Sequence, residues 1–583
     1  MTMAARALSA IGLSMAVVTA LAQTVEPTEP QVAWVKANAF ALRTVEAGNG
    51  FEDLQQLKGA IGDARIVSLG EATHGTREIF QLKHRLTEFL ATELGFTIFS
   101  IEANMPEAHR VNEYVLHGRG DPKALLQGMY FWTWNTEEVL EMIEWMRRFN
   151  ASGKGRIQFT GFDMQTARVA IETVSDLLRK VDPDYAVKVR RIYQAADTLR
   201  PAQTGFGVAT GSFPVSAAAG KTIRFSGAIR TANLDGFAGL WWRADGPDGV
   251  LAFDNMQARA PKGTTDWKRY EIVLEVPRET VNINFGVLMP GKGTAWFDDL
   301  RLEIDGKPYD ATSLFDFGFE SGQIKGFFTP ASGYTARVDD STAADGTRSL
   351  RLQSSSDGGG SPAPRVSPAE ASRSFAGVVE HMERARDEYA KRAEMAAVDW
   401  AIQNAGVVHQ YAQMMAGQVS RDESMARNVK WVLDTAPKGT RVVLWAHNGH
   451  VGRIEQGAYR AMGAYLDDWY GNDHVVMGFT LNRGEYTAIK QGTGLGPHPL
   501  APPAPGSYEH VFARAGLPRF IADLRTAKAG DPSSGWLRAP MSLRSIGAVA
   551  AEQQFHPATL AEMFDLVVFL DETTPTRGLW NPR

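Results

Sequence analysis

The chain has 583 residues, a net charge of −5, 44% apolar and 22% charged residues, a globular composition long enough for three or four domains. So small a charge imbalance leaves no electrostatic footprint for nucleic acid or for an anionic membrane surface. Cysteine is absent, which removes disulfides, thiolate metal sites and a cysteine nucleophile together.

Residues 1–22 read as an export signal. Arg6 precedes an apolar run from Ala7 to Ala22, and Ala20-Leu21-Ala22 gives a small-x-small cleavage pattern before Gln23. The run is too short to span a bilayer. No later segment has enough uninterrupted apolar residues to do so, and the expected location is periplasmic or secreted, with no transmembrane segment after cleavage. Residues 23–202 then alternate short β-like runs with helical patterns. Strands are predicted at Arg65 to Gly70, Phe96 to Ile101 and Ile157 to Phe162. Helices are predicted from Thr76 to Leu94, where Ile79, Leu82, Leu86, Phe89 and Leu90 recur at helical spacing, and from Glu137 to Phe149. This βαβ order implies a mainly parallel sheet flanked by helices.

Residues 203–353 change texture. Thr222 to Arg230, Tyr270 to Val276, Val281 to Leu288 and Ala295 to Ile304 read as successive strands with turn signals between them, the signature of an antiparallel β-sandwich or jelly roll. A Ser/Gly/Pro linker occupies 354–366. Residues 367–583 return to α/β texture, with a long helical stretch from Ala371 to Ala416 and strands at Arg441 to Ala446, Val475 to Leu481 and Leu566 to Leu570. The predicted architecture is one split α/β catalytic domain interrupted by a β-sandwich insert.

Polar residues gather just after the predicted strands. Glu71 and His74 follow the first, Glu102 ends the second, Asp163 the third, and His447 and His450 follow Leu444-Trp445-Ala446. In an open parallel sheet, ligands bind outside the carboxyl ends of the strands, so these groups are expected to meet in one cleft. A histidine oriented by a carboxylate serves as a base near neutral pH, and Glu71 or Glu102 is the candidate partner of His74. His447 and His450 fit either an oxyanion or leaving-group role or, with carboxylates, a metal site. No Gly-x-Ser-x-Gly elbow, Walker loop or dinucleotide fingerprint is present. Ser68 and Ser100 lie inside strands. Tyr130, Phe131, Trp132 and Trp134 line a pocket or fill the core. Three readings are open: a water-activating hydrolase without cofactor, a metal-dependent hydrolase using His74, His447, His450 and a carboxylate, and a non-hydrolytic glycan-binding scaffold.

The segments Gly70-Glu71-Ala72-Thr73-His74-Gly75-Thr76-Arg77-Glu78, Lys83-His84-Arg85, Glu93-Leu94-Gly95-Phe96, Ile101-Glu102 and Val443-Leu444-Trp445-Ala446-His447-Asn448-Gly449-His450-Val451 resemble the erythromycin esterase family. Met462-Gly463, Gly478-Phe479-Thr480 and the tail from Phe564 to Pro575 continue the likeness. The resemblance implies hydrolysis of a lactone or carboxylic ester, a macrolide among them, by histidine-activated water without an obligatory metal or cofactor. It places His74 as the water-activating histidine, Glu71 and Glu102 as active-site carboxylates, and His447 and His450 as the second histidine motif. Arg421 and Asp422, before Met425-Ala426-Arg427-Asn428, fall in another cleft segment. Arg77, Asp163, Arg421 and Trp132 complete the expected substrate-binding set. The middle zone resembles carbohydrate-binding sandwich modules in Gly239-Leu240-Trp241-Trp242-Arg243, Phe253-Asp254-Asn255, Asp266-Trp267 and Trp296-Phe297-Asp298-Asp299, which offers a glycan as a second ligand.

Overall fold

Short apolar runs bounded by glycine and charge build the central sheet. Ile66–Leu69 and Val442–Trp445 are buried at every position, as expected of strands covered on both faces. Alternation divides their side chains between two layers. Ile66, Val442 and Leu444 enter one apolar core, while Val67, Leu69, Val443 and Trp445 enter the other. The computed structural model describes all residues except 1–25, 197–198, 200–205, 247–248, 281, 313, 330–333, 355–365, 457–458, 491–493, 552 and 580–583. The expected export signal and most of the expected linker lie outside the described residues.

The sheet has nine strands, with Ala39–Ala41, Arg519–Asp523, Leu566–Thr573, His474–Lys490, Ile66–Leu69, Val442–Trp445, Ile98–Asn104 and Gln158–Asp163 in spatial order, and Gly494–Pro499 pairing with His474–Lys490. The run from Leu566–Thr573 to Gln158–Asp163 is parallel throughout, so its carboxyl ends share one edge. Antiparallel pairing appears only beyond it, at Arg519–Asp523, Ala39–Ala41 and Gly494–Pro499. Ser68 and Ser100 are buried in their strands, against His474 Nε2 (2.8 Å) and Thr160 Oγ1 (3.0 Å).

The helical stretch expected from Ala371 to Ala416 is three helices, Pro368–Arg384, Arg386–Tyr389 and Met395–Met415. The breaks are anchored by tertiary bonds: Arg386 to Asp399, Tyr389 Oη to Asp182 and Arg392 to the carbonyl of Val181. Local propensity does not reveal them.

Between the two α/β segments lie two antiparallel sheets, one of Phe206–Ser212, Asn282–Pro290, Gly239–Gly246 and Gly249–Asp254, the other of Tyr334–Asp339, Ser349–Ser354, Thr294–Ile304, Thr222–Leu234 and Gly263–Glu275. They share one core, in which Phe225 of the second sheet meets Phe285 and Trp242 of the first. Trp242 is fully buried there. Trp296 donates to Asp339 and is flanked by Arg230 and Arg351, and Trp267 donates to Thr342. The large exposed rings on these sheets and their connections are instead Phe206, Phe253 and Phe328.

Candidate active site

The parallel edge carries the site. After Ile66–Leu69 the chain turns through Gly70 to Gly75 into helix Arg77–Glu93. The Gly70 N–H donates to the carbonyl of Met477, and the Gly75 carbonyl accepts from Thr487 and Thr576. A Cβ at residue 75 would stand inside the peptide group of Thr487, so the turn runs flush against the neighbouring strand. Gly75→Ala is therefore expected to cost about 1–3 kcal/mol and to displace the adjacent His74. Urea unfolding checks the first effect, and an unchanged midpoint would refute it.

His74 Nδ1 lies 2.6 Å from Glu71 Oε1. The other carboxylate oxygen, Oε2, accepts from Lys83 Nζ and Trp445 Nε1, both at 2.7 Å. Glu71 and Lys83 are fully buried. Burial alone would raise the Glu71 pKa, but the Lys83 ammonium and the hydrogen bond with His74 hold it below the ordinary carboxylate range. An ionised Glu71 only accepts, so Nδ1 of His74 is the donor in this bond, and the lone pair of the neutral imidazole falls on Nε2. The His74 side chain is 11% exposed, and its ring stands 5.1 Å from that of His447 and 6.1 Å from that of Trp134.

Glu102 sits where the register between Ile98–Asn104 and Gln158–Asp163 shifts, between Ile101 and Asn104. Such irregularities re-aim a side chain at a strand end. Its Oε2 accepts from the His447 backbone N–H (3.0 Å), and its Oε1 accepts from Arg421 Nη2 (2.7 Å). Arg421 also donates to Asp163 through Nη2 (2.6 Å) and Nε (3.1 Å), and its Nη1 stands 3.1 Å from His450 Nε2. Burial works against the Glu102 anion, but His450 and Arg421 outweigh it and hold the carboxyl far below its usual range. Ser420 caps helix Arg421–Thr435 and starts Arg421 and Asp422 into the site. Asp422 Oδ1 receives His450 Nδ1 at 2.8 Å and the Met462 N–H at 2.9 Å. Burial would lower the His450 pKa, yet Glu102 and Asp422 raise it above the ordinary imidazole value.

His447 has the opposite environment. Its Nδ1 accepts from the Gly449 N–H (3.0 Å), and its Nε2–H donates to the carbonyl of Ile546 (3.1 Å). Burial, with His74 and His450 nearby, lowers its pKa to about 4. Its ring resonances are expected to stay constant from about pH 5.5 to 9 in an NMR titration. A transition near pH 6.5 would contradict this environment.

The structure thus brings together Glu71, His74, Glu102, Asp163, Arg421, His447 and His450. Arg77 is directed to Glu138 (3.8 Å), and its backbone N–H donates to Thr574. Trp132 opens the short turn Trp132–Trp134, in which Trp134 is the ring facing His74, its Nε1 donating to the Glu102 carbonyl. Lys83 was not among the expected site residues. The available signal was a lysine at 83 within the otherwise apolar stripe of Ile79, Leu82, Leu86 and Phe89. A cavity of about 300 Å³ adjoins the histidine segment, bordered by Asn448, Gly449, Tyr459, Ser545, His556 and Glu562 among others. Among the described residues, no three His, Asp or Glu side chains are grouped to hold a metal ion, and no helix is long and apolar enough to cross a membrane.

The sequence model for erythromycin esterase matches residues 91–231 and 329–573, well over half of the chain. The chain belongs to the erythromycin esterase family. The family's match falls in two segments, on either side of most of the antiparallel sheets. Erythromycin esterase type II of Escherichia coli is 30% identical over 158 residues, 26% of this chain and 36% of that enzyme. The match therefore spans about a third of that relative's length. The fold is shared with the crystal structure of a succinoglycan biosynthesis protein (TM-score 0.58, 19% identity, 94% of this chain and 97% of that one). It is shared also with a mutant of erythromycin esterase EreC in its open conformation (TM-score 0.50, 12% identity, 91% and 96% coverage).

Proposed function

We propose that the protein hydrolyses a lactone or carboxylic ester by direct attack of water. The observation that carries this reading is the His74–Glu71 bond: an ionised carboxylate fixes Nδ1–H and leaves Nε2 as the base. In the proposed step His74 Nε2 takes one proton from water while the water oxygen bonds to the carbonyl carbon. Negative charge then develops on the carbonyl oxygen, beside the cationic edge formed by Arg421 and His450. Collapse of the tetrahedral species breaks the C–O bond, and the leaving alkoxide takes a proton from His450. The two histidines reset by exchange with solvent. His447 is assigned to the wall of the site, because both of its ring nitrogens are engaged by backbone groups. The reading of residues 1–22 as an export signal supports the periplasm or the cell exterior as the setting of this chemistry. Macrolides are one class of substrate to try.

The test is turnover of a panel of macrolides, smaller lactones and aryl esters in H₂¹⁸O, with hydroxylamine present in a parallel reaction. One ¹⁸O in the acid product and no hydroxamate released from the protein are expected. A trapped acyl-enzyme would overturn water attack, and no hydrolysis of any compound would overturn the esterase reading.

A further inference from the structure

We infer that Lys83 is a positioning residue for the base: from the buried side of Glu71 it keeps that carboxylate ionised and aimed at His74 Nδ1, and so sets the lower pH limit of the water-activating step. The inference rests on the hydrolytic reading above and adds to it a residue that touches neither water nor substrate.

The geometry divides the two oxygens of Glu71. Oε1 belongs to His74, and Oε2 belongs to Lys83 Nζ and Trp445 Nε1. The ammonium is fully buried, lies 3.5 Å from the Ala446 carbonyl, and stands over the Trp445 ring at 4.5 Å and the Phe479 ring at 5.6 Å. A lysine on the apolar stripe of a helix is costly unless its charge is matched. Here the match is Glu71 from the Gly70–Gly75 turn, with Glu102 from strand Ile98–Asn104 as a more distant attraction. The strands that carry Trp445 and Phe479 present rings to it rather than charges, and His74 lies on the far side of the carboxylate. Trp445 can hold Oε2 in place but supplies no charge. Lys83 is therefore the group whose loss changes the ionisation of Glu71.

Without the ammonium, Glu71 and His74 form a buried pair that keeps one extra proton to higher pH. Whether that proton rests on the carboxyl or on the imidazole, the pair no longer offers an anion with a free base beyond it. The sign follows: removal of a positive charge favours the protonated pair, so the acid limb of activity moves upward.

Lys83→Met is expected to raise the acid limb of kcat/KM by about one pH unit or more, with about tenfold more loss at pH 6 than at pH 9. Lys83→Arg, which retains the charge, is expected to restore the wild-type profile. A second readout needs neither substrate nor a variant. In wild-type protein the ¹³C resonance of the Glu71 carboxyl is expected to step as Lys83 loses its charge, with burial bringing that event down to about pH 8. Parallel pH profiles for wild type and Lys83→Met would overturn the inference. So would a Glu71 carboxyl signal that stays flat from pH 6 to 11 while the lysine titrates. The carboxyl titration stands or falls apart from hydrolysis: retained turnover in a His74 variant would sink the esterase mechanism and leave this measurement untouched.

Discussion

His74→Ala is expected to lower kcat/KM on the best ester or lactone substrate by about a hundred- to ten-thousand-fold, the usual contribution of a positioned general base. The effect should fall on kcat as well as on kcat/KM, because the base acts when the water proton moves and not when substrate binds. The fold should survive the change. Glu71 keeps Lys83 and Trp445 after the imidazole is gone, so no buried charge is stranded. The side chain itself is partly exposed, and little packing is lost with it. Comparing the urea midpoints of variant and wild type separates lost chemistry from lost structure. Turnover of the folded variant within about threefold of wild type would remove His74 from the reaction.

Much of this arrangement was legible in the chain, and the legible part has a common physical cause. Strands covered on both faces must be continuous apolar runs, so Ile66–Leu69 and Val442–Trp445 announce themselves. Ionisable residues immediately after such runs must sit at the sheet edge, which is why Glu71, His74, Glu102, Asp163, His447 and His450 could be listed together before their positions were known. Pairing within the cluster was not legible. Nothing in sequence distinguishes Glu71 from Glu102 as the partner of His74, because the choice depends on the register shift after Ile101 that turns Glu102 toward Arg421. Likewise the adjacent histidines look equivalent, yet burial lowers the pKa of His447 while Glu102 and Asp422 raise that of His450. Arg77 lies inside a matching motif, but its guanidinium is directed to Glu138. The strands Phe206–Ser212, Gly239–Gly246 and Gly249–Asp254 were not anticipated, because their glycines and small residues blur the two-residue alternation.

Arg421 is the second residue whose removal should have a large effect, here on stability first. Its guanidinium bonds two buried carboxylates at once, Glu102 through Oε1 and Asp163 through both oxygens. Arg421→Met preserves most of the side-chain volume but strands those anions. Breaking a buried pair from one side costs about 3–5 kcal/mol. The pH dependence follows from the Glu102 shift, which is downward in the folded protein. A depressed carboxyl contributes stability that is fully present above its unfolded pKa of about 4.3 and is lost as pH falls through the folded value. In the variant that contribution is missing, and protonation of Glu102 relieves the stranded charge. The gap between wild type and Arg421→Met in urea midpoint should therefore be wide at pH 7 and shrink progressively as pH falls below about 4. A gap of equal size at both pH values would mean that Arg421 acts through packing alone, and its place between Glu102 and His450 would then have no electrostatic consequence for the reaction.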